Sequence, residues 1–89
     1  MAKSLKGKVA KVLREALGKK AVIRLKIVPP DRVGGTVLSA SFETESPSER
    51  QDRIWKSLDA HLTREERGRI VFIVTDTPVE YEVLRNAAG

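Results

Sequence analysis

The chain offers few groups that could do covalent chemistry. His61 is its single histidine and it contains no cysteine, which excludes a thiolate nucleophile, a disulfide and a thiolate metal site. His61 stands beside Leu58 and Leu62 near the end of an expected helix, where a capping or surface role accounts for it without a ligand. A general base with no nucleophile or metal partner has no reaction to serve. Glu65-Glu66 and the Glu80/Glu82 pair are local and patterned as exposed. Glu49, Asp52 and Asp59 lack the spacing of a calcium loop, and Gly34-Gly35 lacks the wider glycine spacing of a nucleotide-binding loop. Nothing in this set points to an enzyme, a metal site or a cofactor.

What remains is charge. The net charge is +5, but residues 1–30 hold nine Lys/Arg against Glu15 alone, while residues 31–89 hold eight against eleven Asp/Glu. One end of the molecule is therefore expected to draw polyanions or acidic partners. The cations expected to contact phosphate are Lys19, Lys20, Arg24 and Lys26 around a first strand, Arg50, Arg53 and Lys56 on a central helix, and Arg69. Such contacts bind nucleic acid with little sequence preference and weaken steeply with salt. A solvated basic face that serves only solubility accounts for the same charges. Among the aromatics, Phe42 and Phe72 are expected in the core. Trp55, which adjoins an apolar stripe, reads as core before it reads as a base-stacking platform.

These residues need a frame, and 89 residues supply one domain. Ser4 can cap a helix whose stripe is Leu5, Val9, Val12, Leu13, Ala16 and Leu17, with Gly18 ending it. Ala21–Val28 alternates, with Ile23, Leu25 and Ile27 opposed to Arg24 and Lys26. Pro29-Pro30-Asp31 stops that strand, and Gly34-Gly35 is expected to supply the positive φ of a turn. Thr36–Phe42 alternates again, completing an antiparallel hairpin with Val37, Ser39 and Ser41 on the same open face as Arg24 and Lys26.

Ser46, Pro47 and Glu49 form a capping box that opens a central helix, with Ile54, Trp55, Leu58 and Leu62 as its apolar face. Arg50, Arg53 and Lys56 are expected to fall away from that face. Thr63 and Glu66 open a short helical turn closed by Gly68. Arg69–Thr75, unbroken by polar residues until its end, is expected to be the most buried strand. Thr77, Pro78 and Glu80 open a last helix with Val79, Val83 and Leu84 turned inward, and residues 1–3 and 86–89 are expected to fray. The fold class is α/β (α+β): a small three-stranded mixed sheet with helices packed on one face, in the order α-β-β-α-α-β-α. No apolar run is long enough to span a membrane and the first residues do not form a signal peptide, so a cytoplasmic location is expected.

The run Gly34-Gly35-Thr36 into a strand, Ser-Pro-Ser-Glu-Arg at 46–50, Ile54-Trp55 with Leu58, Ile70-Val71-Phe72-Ile73 and Thr77-Pro78-Val79-Glu80-Tyr81 resembles the BolA family of stress-linked regulators. That resemblance implies a fold similar to class II KH domains, association with monothiol glutaredoxins, shared iron–sulfur ligation and DNA binding in transcriptional control. Partner contacts implied in this way fall on Arg69, Thr77, Pro78 and Tyr81. The family's metal-ligating histidine, at the start of the last strand, is replaced here by Arg69. The hairpin loop reads Pro29-Pro30-Asp31-Arg32-Val33 with no His or Cys, and Gln51 stands where a histidine commonly follows the central-helix arginine. A protonated guanidinium is a poor ligand for iron, so cluster ligation in the family's manner is not expected. His61-Leu62-Thr63-Arg64 also lacks the Gly-x-x-Gly of nucleic-acid-binding KH domains.

Overall fold

The computed structural model describes residues 2–88. Helix α1 (Ala2–Leu17) is followed by strands β1 (Val22–Val28) and β2 (Arg32–Leu38), a 3-10 turn (Ala40–Thr44), α2 (Pro47–His61), α3 (Arg64–Gly68), β3 (Ile70–Asp76) and α4 (Pro78–Ala88). The expected element order holds. Both ends are more helical than expected: α1 begins before Ser4, and α4 runs through residues 86–88, while Met1 and Gly89 lie outside the described residues. Gly18, at φ 91°, is the only described residue with positive φ, and its N–H donates to the Arg14 carbonyl at 2.8 Å to close α1. No helix among the described residues is long and apolar enough to cross a membrane.

The sheet runs β1-β2-β3, with β1 antiparallel and β3 parallel to the central β2. Helices α1 and α2 cover one face. Leu5, Val9 and Leu13 of α1 meet Ile54 and Leu58 of α2 over Val33, Val37 and Ile73, which is the apolar stripe that the helical spacing requires.

Five expectations are corrected, each for a physical reason. Gly34-Gly35 is not a turn. The hairpin turns tightly at residues 29–31, through a cis Pro29-Pro30 peptide, and both glycines lie buried in mid-strand. They are needed for close approach, since a Cβ on Gly34 would stand 2.5 Å from the Phe72 ring and one on Gly35 would collide with the Arg24 carbonyl and Leu25. Because β2 starts four residues earlier than expected, its inward set is Val33, Gly35 and Val37, and Val37 is fully buried rather than on the open face.

The chain then leaves the sheet. Buried Ser39 caps the 3-10 turn by accepting the Ser41 N–H at 3.2 Å, so neither serine faces outward from a strand, and the turn drops Phe42 into the core. Strand β3 is an edge, not the buried centre: Val71, Phe72 and Val74 are exposed because no helix layer covers their face. Finally, Val79, Val83 and Leu84 do not turn inward. They are the most exposed large apolar side chains among the described residues, at 61–65%, because α1 and α2 already fill the inner face.

Candidate nucleic-acid interface

The eight cations expected to contact phosphate separate into two groups once their carboxylates are located. Arg50 is the clearest removal. It is 5% exposed and its guanidinium closes the joint between α2, the 3-10 turn, β3 and α4. Nε–H donates to the carbonyls of Phe42 and Glu45, both at 3.1 Å. Nη1 donates to the Thr75 carbonyl at 3.3 Å and to Glu80 Oε1 at 2.7 Å, and Nη2 to Glu80 Oε2 at 3.3 Å. Each nitrogen of the fork already has a protein acceptor and the side chain is buried, so little of it is left for phosphate. The spacing carried a signal for this: Arg50 precedes Ile54 and Leu58 by four and eight residues, on the same helical face.

Arg53 pairs with Glu45 at 3.0 Å and also reaches the Ala16 carbonyl. Arg69 pairs with Glu65 at 2.9 Å and lies 3.8 Å from Asp31. Lys56 is exposed and makes no ion pair among the described residues, but it stands on α2, away from the uncovered sheet face.

The second group is contiguous. Lys19 and Lys20 form the exposed turn after α1, which Arg14 orders by donating to the Lys19 and Ala21 carbonyls at 3.1 and 3.3 Å. Arg24 and Lys26 follow on β1, exposed on the uncovered face. Residues paired across strands share a face, so that face is built of rows. Lys26, Gly34 and Phe72 form one, Arg24, Thr36 and Val74 the next, and Val22, Leu38 and Asp76 the third. None of Lys19, Lys20, Arg24 and Lys26 has an ion-pair partner among the described residues. Lys26 Nζ lies 5.6 Å from the Phe72 ring centroid, a cation–π distance.

Helix α4 closes the far end of this face. A cleft of about 310 Å³ is lined by Val22, Arg24, Leu38, Pro78, Val79, Tyr81, Glu82 and Arg85. Leu38, outward by register, is buried there. Three residues of this surface are absent from the expected set: Arg32, exposed and paired with Val28 on the same face, Phe72 and Arg85. Arg85 adds a cation beside Arg24, and only the placement of α4 reveals it. Phe72 is outward because a register shift between Val33 and Gly34 changes which side of β3 faces the helices. A glycine paired with an aromatic across a central strand is the trace it leaves in the sequence.

The starts of α2, α3 and α4 hold as expected. Ser46/Glu49, Thr63/Glu66 and Thr77/Glu80 each form reciprocal capping boxes. Two of the box carboxylates also bind a cation from another helix, Glu66 with Lys8 at 2.9 Å and Glu80 with Arg50 at 2.7 Å. The Arg50 guanidinium, then the Thr77 N–H, holds the Glu80 carboxyl below its ordinary value, and Glu80 in turn raises Arg50. Glu66 is lowered by the Thr63 N–H and then by Lys8.

Of the residues expected at a protein interface, Thr77 is 4% exposed and occupied by its capping box. Pro78 is exposed and Tyr81 half-buried at the α4 end of β3, while Arg69 lies at the opposite end. The four do not make one patch. His61 is exposed with Nδ1 2.9 Å from the Ser57 carbonyl. Gln51 donates to the Ile73 carbonyl at 2.7 Å and accepts from Trp55 Nε1–H at 3.0 Å, bracing α2 against β3. No group of three or more metal-ligating side chains occurs among the described residues.

No family model and no curated protein matches the chain. Solved structures do. A Bol-like protein from Babesia bovis superposes with a TM-score of 0.66 at 20% identity, covering 90% of this chain and 92% of that one. The fold is BolA-like. A BolA protein homologue from Coxiella burnetii agrees, with a TM-score of 0.58 at 19% identity over 92% of this chain and 96% of its own. The BolA-like fold thus extends over nearly the whole chain.

Proposed function

We propose that this BolA-like domain is a non-enzymatic binding module of the BolA family that contacts nucleic acid, in a regulatory role, through the open side of its sheet. The observation that supports it is the concentration of unpaired cations: Lys19, Lys20, Arg24 and Lys26 occupy one connected surface, with Arg85 at its border. Four phosphate contacts on a single strand give a log–log salt slope of about −3. The test is fluorescence anisotropy with a labelled oligonucleotide across a salt series. Steep weakening with salt is expected, and a K19A/K20A pair should make the slope shallower by about 1.4, two cations' worth. Salt-insensitive binding, or none at low salt, refutes the proposal.

A protein adaptor is the second function we propose, in which the partner is a monothiol glutaredoxin of the kind associated with BolA-like proteins. The specific observation favouring it is the exposed apolar side of α4, where Val79, Val83 and Leu84 border a cleft with Asp76 and Glu80. Titration calorimetry between the two purified proteins decides it. Binding that is lost in Leu84→Asp favours the adaptor, and no heat of binding removes it. With Arg69 in place of the family's histidine, an iron–sulfur cluster would have to take its ligands from elsewhere.

A further inference from the structure

We propose that Phe72 is a base-stacking platform and that the ligand of the open sheet face is a single-stranded nucleic acid, one base of which lies on the ring. The inference rests on the nucleic-acid function proposed above and narrows it to one strand type and one central contact. Phe72 is 39% exposed although it lies in the middle of a strand. Its ring leans across β2, close enough that a methyl group on Gly34 would stand 2.5 Å from it. The glycine is thus what lets an aromatic plane lie low over the sheet. Lys26 Nζ reaches within 5.6 Å of the same ring from β1, and Arg24 stands one row along, with Thr36 and Val74 between.

Alternate residues of one strand are about 7 Å apart, so Arg24 and Lys26 can meet successive phosphates while a base rests on the ring. Readout of bases in a duplex takes a helix or ribbon that enters a groove, whereas Phe72 lies within a strand on a sheet face. A splayed base needs only a flat π-surface flanked by cations. Charge selects the occupant: the two cations beside the ring have no carboxylate partner, and the acidic residues of the face, Asp76 and Glu82, lie at its α4 end.

The test compares three probes on the intact protein: oligothymidylate of about 12 nucleotides, the same length of abasic deoxyribose-phosphate strand, and a duplex. Oligothymidylate is expected to bind about tenfold tighter than the abasic strand. Phe72→Leu, which keeps apolar cover over Gly34, should erase that difference while leaving abasic affinity unchanged. Phe72→Trp should retain it and add fluorescence quenching beyond that of Trp55. R24A/K26A should weaken both single strands. Equal affinity for the thymidylate and abasic strands, or a thymidylate preference that survives Phe72→Leu, overturns the stacking site while leaving the nucleic-acid function standing. Preferential binding of duplex overturns the choice of strand. If no probe binds and a protein partner covers Phe72 instead, both proposals fail.

Discussion

At the scale of single residues, two side chains of similar chemistry have opposite roles. Arg50 is committed inward, with its fork divided among three carbonyls and Glu80. Arg24, a strand residue, projects from the open face without a carboxylate. Removing Arg50 orphans buried carbonyls and frees the start of α4, so Arg50→Ala is expected to lower the thermal midpoint, whereas Arg24→Ala should leave it nearly unchanged. Circular dichroism melts of both variants check this. The Glu80 carboxyl lies below its ordinary value of 4.5 because it is bound by Arg50 and Thr77. Its stabilising contribution is therefore present above that value and is lost as pH falls through the depressed one. Melting midpoints followed from neutral pH down to about pH 3 should fall on the acid side, and Glu80→Gln should flatten part of that fall. An identical acid limb in the variant would mean that the Arg50–Glu80 joint contributes nothing.

At the scale of elements, what the sequence reveals depends on how local the physics is. The three capping boxes are local, each needing only residues three apart, and all three helices begin where Ser46, Thr63 and Thr77 place them. Strand faces are not local. Val37 and Phe72 lie on the sides opposite to those expected because parity depends on where β2 begins and on the register shift beside β3, and both are set by tertiary pairing. The last helix differs for another reason: its apolar residues, expected to turn inward, stay exposed because α1 and α2 already fill the inner face. The two kinds of apolar site should respond very differently to truncation. Phe42→Ala is expected to cost about 3–5 kcal/mol, most of the stability of a small domain. Val83→Ala should stay within about 0.5 kcal/mol. Urea denaturation of both variants checks the contrast, and a large loss at Val83 would mean that α4 packs on the body.

At the scale of the whole molecule, the basic first stretch divides between α1, which carries five of its nine Lys/Arg, and the turn and strand that lead onto the open side of the sheet. Lys19, Lys20, Arg24 and Lys26 emerge together because the turn after α1 leads directly into β1, while carboxylates of the second half are spent in pairs, such as Glu66 with Lys8 of α1 and Glu45 with Arg53 of α2. The fold leaves one side of its sheet uncovered, and that side carries Arg24 and Lys26 without ion-pair partners among the described residues, with the Phe72 ring in the row of Lys26. The most direct measurement is an amide chemical-shift titration of labelled protein with oligothymidylate at low salt. The expected result is perturbation of residues 19–26, 34–36 and 72–74 with α2 and α3 unmoved. Shifts gathered instead on α2 and α3 around Lys56, Arg64 and Arg67, or no shifts at all, would contradict the account.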